Sequence, residues 1–150
     1  MEELKNIRVI LAELLRTQKL AVLSTVRSDG SAYSNLVSFA APRPENLLFA
    51  TTRATRKYAN LMKNAQVALL IDNRRNDEAD FHEAVAATAL GRAVELANAE
   101  RTANLVTFLA RFPFLAEFVH SPSCALFRVD VERFIVVTKF QNVVEVRTSP

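Results

Sequence analysis

The amino-acid sequence predicts a mainly β domain with helices at its periphery. Short apolar or alternating segments, which are typical of strands, recur between residues 20 and 146. Three amphipathic stretches with a helical repeat precede or interrupt them. The chain has 150 residues, of which 50% are hydrophobic and 23% are charged, so we expect one domain, 1–150, with a proper core.

The first elements are a helix and a hairpin. Residues 2–17 are predicted to be a helix that caps one end of the β structure, because one side carries Leu4, Ile7, Leu11, Leu14 and Leu15. Residues 20–26 and 32–40 are strand-like, and Ser28-Asp29-Gly30-Ser31 between them is a hairpin signal.

Residues 46–72 read strand, turn, helix and strand. In the helical part an apolar stripe with i, i+3, i+4, i+7 spacing is expected to face the core, and it consists of Tyr58, Leu61, Met62 and Ala65. Thr52 or Thr55 is the expected N-cap, because a hydroxyl can accept from a free amide of the first turn.

The charges at this helix start are unusual. Arg53, Arg56 and Lys57 lie where partial positive charge favours Asp or Glu. Threonine hydroxyls, free amides and cations together favour a phosphate site built without glycine. The competing interpretations are a solvated surface helix and a structural ion pair with Glu45 or Asp72.

A family resemblance rests on this stretch. Phe49-Ala-Thr51-Thr-Arg-Ala-Thr55-Arg56-Lys57, followed by Asn60-Leu61, Asn64 and Val67-Ala-Leu-Leu, resembles the flavin-phosphate segment of the pyridoxamine 5'-phosphate oxidase-like FMN-binding split-barrel family. The resemblance implies a β-barrel with α, namely a six-stranded antiparallel split barrel with peripheral helices at 2–17, 55–64 and 98–119. It also implies a homodimer with the cofactor at the interface, to which residues 105–118 could contribute.

The resemblance implies FMN as cofactor and two groups of contacts. The phosphate contacts would be Thr51, Thr52, Thr55, Arg56 and Lys57, and the ring contacts would be Asn35, Leu36, Val37 and Ser38. Alternation puts Ser34, Leu36 and Ser38 on one strand face, where small polar residues leave room for a flat ligand. An ordinary half-exposed strand would show the same pattern.

Two departures argue against pyridoxamine phosphate oxidation itself. The true oxidases carry an Arg-x-x-x-x-Lys pattern in this strand, whose positions here are Asn35 and Ala40. Their C-terminal Arg-x-His-x-Arg-type substrate signature is absent too. We therefore expect a different small-molecule substrate.

The second half continues the β pattern. Residues 73–83 are predicted to be a polar loop, and 86–96 a strand with Gly91 at a bend or bulge. Asn98 is the expected cap of a helix that buries Leu105, Phe108, Leu109 and Phe112 and is interrupted at Pro113. Further strands are predicted at 125–132, 134–137 and 143–146.

Several protein classes are excluded or disfavoured. Two glycines are too few for a dinucleotide fingerprint or a phosphate loop. Two histidines and one cysteine match no zinc pattern, so no metal is predicted, and Cys124 is expected in the core. A net charge of +3 without a basic stripe gives no sign of nucleic-acid binding.

No apolar run reaches the ~18 residues of a membrane span. A lone cysteine and a start unlike a signal peptide point to the cytoplasm.

Three functions remain. The first is an FMN-dependent oxidoreductase acting on a small molecule, with no side chain that is an evident acid or base. The second is a haem-binding or haem-degrading split barrel, for which His82 and His120 are the only candidate ligands. The third is a non-enzymatic flavin- or anion-binding module.

Overall fold

A computed structural model describes residues 1–148 as an antiparallel β-barrel with helices around it. The described strands are β1 (Leu20–Val26), β2 (Ala32–Arg43), β3 (Asn46–Thr52), β4 (Gln66–Asp72), β5 (Ala86–Glu95), β6 (Cys124–Thr138) and β7 (Asn142–Arg147). The described helices are α1 (Glu2–Thr17), α2 (Arg56–Lys63), α3 (Asp80–Glu83), α4 (Asn98–Arg111) and α5 (Ala116–His120), with a 3-10 turn at Pro113–Leu115.

Six strands close the barrel, as predicted. Their order is β3-β2-β1-β4-β5-β6, and β6 also pairs with β3 from Asn46–Asp130 to Thr52–Cys124. The segments predicted as two strands, 125–132 and 134–137, form the single strand β6. Its second half pairs with β7, which extends the sheet beyond the closed barrel.

Two apolar cores result from the two faces of the sheet. The barrel interior includes Phe49, Phe127 and Phe134, and the buried side of α1 (Ile7, Leu11, Leu14, Leu15) joins it. The outer face of β2, β3 and β6 packs against Phe108 of α4 and Phe112, which follows α4 directly. The stripes predicted for both helices are confirmed.

Two local predictions fail, whereas the interruption predicted at Pro113 is confirmed. Within 98–119, α4 ends at Arg111, and Pro113, which lacks an amide hydrogen, starts a 3-10 turn. Asn98 is not a side-chain cap, since it has φ of 55° and its side chain caps no helix amide. Met62 remains 52% exposed because α2 buries only its Leu61 side fully.

Gly30, Gly91 and Asp80 each account for a local feature of the backbone. Gly30, at φ 86°, forms the hairpin turn that was predicted. At Gly91 the β5–β6 register shifts, and an added Cβ would overlap the Asp130 carbonyl. The polar loop contains α3, and Asp80 accepts hydrogen bonds from three backbone amides there. None of the helices in residues 1–148 is long and apolar enough to cross a membrane.

Candidate functional site

An open cleft of about 330 Å³ lies where β2, β3, the start of α2 and the α4–α5 region meet. The polar wall comes from the end of β3 and the start of α2. The apolar wall comes from α4 and the segment after it. The lining residues are Leu36, Val37, Ser38, Ala50, Thr51, Thr52, Thr55, Lys57, Phe108, Leu115 and Phe118.

Thr55 organises the polar wall. It is the N-cap of α2, and its hydroxyl accepts from the Tyr58 amide at 3.3 Å. The same hydroxyl donates to the Thr52 carbonyl at 3.0 Å and lies 2.9 Å from the Thr51 hydroxyl. Of the two predicted caps, Thr55 is therefore the one that forms. With Tyr58 capped, the α2 amide hydrogens still without an acceptor among the described residues belong to Arg56 and Lys57.

The three cations of this segment have different environments. Lys57 lines the cleft half-buried, and burial lowers the pKa of its ammonium group. Arg56 is exposed and is not among the lining residues. The predicted structural alternatives are not formed, because Glu45 pairs with Arg43 at 3.6 Å and Asp72 pairs with Arg74 at 3.1 Å.

Arg53 forms an ion pair with Glu95 and does not line the cleft. Its Nη2 atom lies 2.7 Å from Glu95 Oε2, and the Tyr58 hydroxyl donates to Glu95 Oε1 at 2.8 Å. The hydrogen bond to Glu95 raises the pKa of the Arg53 guanidinium above its ordinary value. Of the three cations, Lys57 alone combines partial burial with a position in the cleft.

The structure brings together seven of the nine predicted site residues. Leu36, Val37, Ser38, Thr51, Thr52, Thr55 and Lys57 line the cleft, whereas Asn35 and Arg56 do not. Asn35 lies on the opposite face of β2 from Leu36 and Ser38, and its Oδ1 is buried without a hydrogen-bond partner.

Sequence reasoning missed the apolar wall. Phe108, Leu115 and Phe118 line the cleft from a segment that lies more than 50 residues after Lys57 in the chain. Phe108 belongs to the stripe predicted to face the core, and it is buried there at 1% exposure. No local signal distinguishes a core residue from one that also faces a ligand.

The histidines and the cysteine lie outside the lining. His82 is exposed on α3, and His120 is exposed at the end of α5. Cys124 is 2% exposed in the core beneath α4, where burial raises the pKa of its thiol. Within residues 1–148 there is no group of three or more His, Cys, Asp or Glu side chains that could hold a metal ion.

The closed barrel, its peripheral helices and the cleft beside α2 together define a domain of the split-barrel class. A family model described as pyridoxamine 5'-phosphate oxidase matches residues 10–138. The chain therefore belongs to the pyridoxamine 5'-phosphate oxidase family. Comparison with curated proteins found no match.

Solved structures agree with the fold. A haem-binding protein from Mycobacterium smegmatis superposes with a TM-score of 0.79 at 14% identity, over 91% of this chain and 57% of that protein. A protein from Clostridium acetobutylicum related to general stress protein 26, of the pyridoxinephosphate oxidase family, has a TM-score of 0.73 at 13% identity, over 93% of each chain. The haem-storage protein HutZ from Vibrio cholerae has a TM-score of 0.72 at 18% identity, over 86% of this chain and 92% of HutZ.

These three likenesses concern the fold. This chain spans little more than half the length of the Mycobacterium smegmatis protein and nearly the full length of the other two.

Proposed function

We propose that the cleft binds FMN, with the phosphate at the start of α2 and the flavin ring against β2. The observation that carries the proposal is the environment of Lys57. A half-buried ammonium group with a lowered pKa is costly unless an anion compensates it. Two amide hydrogens of the same helix turn are free to donate to that anion.

The donor set fits a phosphate group. Lys57 would make a charge-assisted contact, and the amides of Arg56 and Lys57 would donate along the helix dipole. Thr52, which also lines the cleft, adds a hydroxyl close by. Arg56 would contribute long-range attraction from the exposed surface.

The rest of the cleft fits a flat aromatic ring. Ser38 and the exposed side of Leu36 form one surface, and Phe118 with Leu115 forms the other. Ligand pockets commonly span roughly 300 to 1,000 Å³, so this cleft, at about 330 Å³, is at the small end. One chain would leave part of a flavin uncovered.

We propose that a second copy of the chain covers the part of the flavin that one chain leaves exposed. Five residues form one row across the outer face of β2, β1, β4, β5 and β6, each directly opposite the next, and none is fully buried: Leu36, Val22, Leu70, Thr88 and Ile135. Leu36, 64% exposed, belongs both to this row and to the cleft. A dimer through this face would bring the partner to the open side of the cofactor.

The sequence suggested that residues 105–118 contribute to the dimer interface, but only part of this segment is exposed. Phe108 and Phe112 are buried within the chain's own core, whereas Val106, Phe114 and Phe118 retain exposed surface. Sedimentation equilibrium of the flavin-loaded protein should give a dimer at micromolar concentration. A monomer with bound flavin would contradict the interface.

The proposed activity is flavin-dependent oxidation or reduction of a small molecule. The bound flavin would supply the redox chemistry. The chain would hold the phosphate, orient the ring along β2 and exclude water with its apolar wall. Among the lining residues the sole ionisable side chain is Lys57, at the phosphate end. Substrate protons would therefore exchange with water or the cofactor and not with a residue of this wall.

Haem binding is the second candidate, and the fold shared with two haem proteins favours it. His120 is the better placed candidate ligand, since it follows the cleft-lining Phe118 by two residues. Neither His120 nor His82 lines the cleft itself, which favours the flavin. A non-enzymatic flavin- or anion-binding module would use the same cleft.

The absorption spectrum of the freshly purified protein separates these candidates. FMN gives bands at about 370 and 450 nm, haem gives a Soret band, and a colourless protein favours a non-enzymatic module that binds a colourless anion. Titration of the apoprotein should then show tighter binding of FMN than of riboflavin. Equal affinities would refute the phosphate site.

A further inference from the structure

A hydrogen-bonded network outside the cleft joins β5 to the start of α2. Glu95, at the end of β5, uses one carboxylate oxygen for Arg53 at 2.7 Å and the other for the Tyr58 hydroxyl at 2.8 Å. The Arg53 guanidinium also lies over the Tyr58 ring, 5.9 Å from its centroid. The Tyr58 ring packs edge-on against Phe127 of the barrel interior, with 6.0 Å between centroids.

Arg53 carries the network further along the chain. Its Nη1 atom donates to the carbonyls of Pro122 at 2.9 Å and Cys124 at 3.2 Å. Its backbone amide donates to the Ser123 carbonyl at 2.9 Å. The turn between β3 and α2 is thereby fastened to the segment that begins β6.

This fastening matters because α2 is short. A helix of eight residues has little stability of its own, so its direction depends on tertiary contacts. Tyr58 follows Lys57 directly, and its amide is the one that Thr55 caps. A shift of Tyr58 would move the Lys57 side chain and the two free amides together.

We propose that Glu95 and Tyr58 are positioning residues that hold the phosphate-binding end of α2 toward the cleft. The inference rests on the proposed FMN function and goes beyond it, because neither residue lines the cleft. Glu95 also withdraws Arg53 from the anion, so that the phosphate depends on Lys57 and the amides.

A competing explanation makes Arg53 a direct phosphate ligand that Glu95 restrains. The two explanations predict opposite changes in FMN affinity for Glu95→Gln. If Glu95 restrains Arg53, Glu95→Gln frees the guanidinium and tightens FMN binding. If Glu95 positions α2, the same change loosens the helix start and weakens FMN binding.

The test compares Tyr58→Phe and Glu95→Gln with wild type, titrating each apoprotein with FMN and with riboflavin. Tyr58→Phe removes one hydrogen bond and keeps the ring and its packing. Each variant should lower the preference for FMN over riboflavin by about three- to tenfold, the loss expected for one such bond. Riboflavin affinity should change by less than about twofold, because the ring contacts remain.

The control is Glu145→Gln, the same chemical change at a carboxylate on β7 that lies 3.2 Å from Arg147. It should leave both affinities unchanged. Thermal unfolding first establishes that each variant is folded, and if Glu95→Gln is not, Tyr58→Phe decides alone.

The outcomes are distinct. Tighter FMN binding by Glu95→Gln, an unchanged FMN preference, or an equal loss for both flavins in folded variants overturns the positioning role and leaves the FMN proposal intact. A wild-type protein without a preference for FMN overturns the phosphate site and, with it, this inference.

Discussion

Lys57→Met is the most direct test of the candidate phosphate site. Methionine keeps an unbranched side chain of similar length and removes the charge. A charge-assisted hydrogen bond contributes about 1.5 to 3 kcal/mol, so FMN affinity should fall by about ten- to a hundredfold. Riboflavin, which has no phosphate, should bind the variant as well as it binds the wild type.

Two matched variants make the comparison specific. Lys63→Met changes an exposed lysine in the last turn of the same helix and should leave FMN binding unchanged. From the sequence alone, Arg56 is expected to share the phosphate with Lys57. Because Arg56 is exposed and outside the cleft lining, we expect Arg56→Met to cost only about threefold, through screened attraction.

The same substitution should not lower the stability of the apoprotein. Burial lowers the pKa of Lys57, so at neutral pH the unfolded state holds this proton more tightly and the charge opposes folding. Lys57→Met should leave the unfolding free energy of the apoprotein unchanged or raise it by a few tenths of a kcal/mol. The difference should shrink as the pH rises toward the ordinary lysine pKa of about 10.4.

Isothermal titration with both flavins and urea unfolding of the apoprotein give the two measurements. Lost stability with intact FMN affinity would mean that Lys57 has a structural role. A loss of both flavins by the same factor would mean that Lys57 contacts the ring or shapes the cleft. Either result refutes the assignment of the phosphate to the start of α2.

Three further predictions concern the fold. Arg111 donates to the carbonyls of Leu15 and Arg16 in α1 and of Gln18, its C-cap, so Arg111→Met should lower the unfolding free energy by about 2 to 3 kcal/mol; an unchanged urea midpoint would contradict this capping role. Gly91→Ala should cost about 1 to 3 kcal/mol because the new Cβ meets the Asp130 carbonyl, and unaltered stability would show that β6 can move away. Backbone amides lower the pKa of Asp80, so this carboxylate stabilises its loop above its unfolded pKa and loses the effect as acid protonates it. Asp80→Asn should therefore speed amide exchange in residues 73–85 near neutral pH and match wild type in acid, whereas equal exchange at neutral pH would refute the role.

The local elements follow from the sequence. The stripe predicted for α1 corresponds to the buried residues of that helix in the structure. Thr55 caps α2 as one of the two residues expected to do so. Gly30 and Gly91 mark a turn and a register shift. These features depend on residues a few positions apart, so periodicity and capping chemistry are enough to predict them.

The tertiary structure decided which strand segments join. Residues 125–132 and 134–137 are interrupted in their pattern around Arg133, yet β6 runs through both. Each half has a different pair of neighbours, and pairing with β5 along almost its whole length keeps β6 continuous. Backbone hydrogen bonds to partners far away in sequence therefore override the local break in the pattern.

The same distinction applies to the candidate site. The sequence determined that cations and threonines gather at the start of α2, but it could not assign their partners. Glu95 lies 42 positions from Arg53 and takes that arginine away from the cleft. Phe118 comes from still further along the chain to form the opposite wall, while Arg56 stays exposed. Which side chain faces a ligand depends on the closure of the barrel and the packing of α4, because those contacts join residues that no local pattern relates.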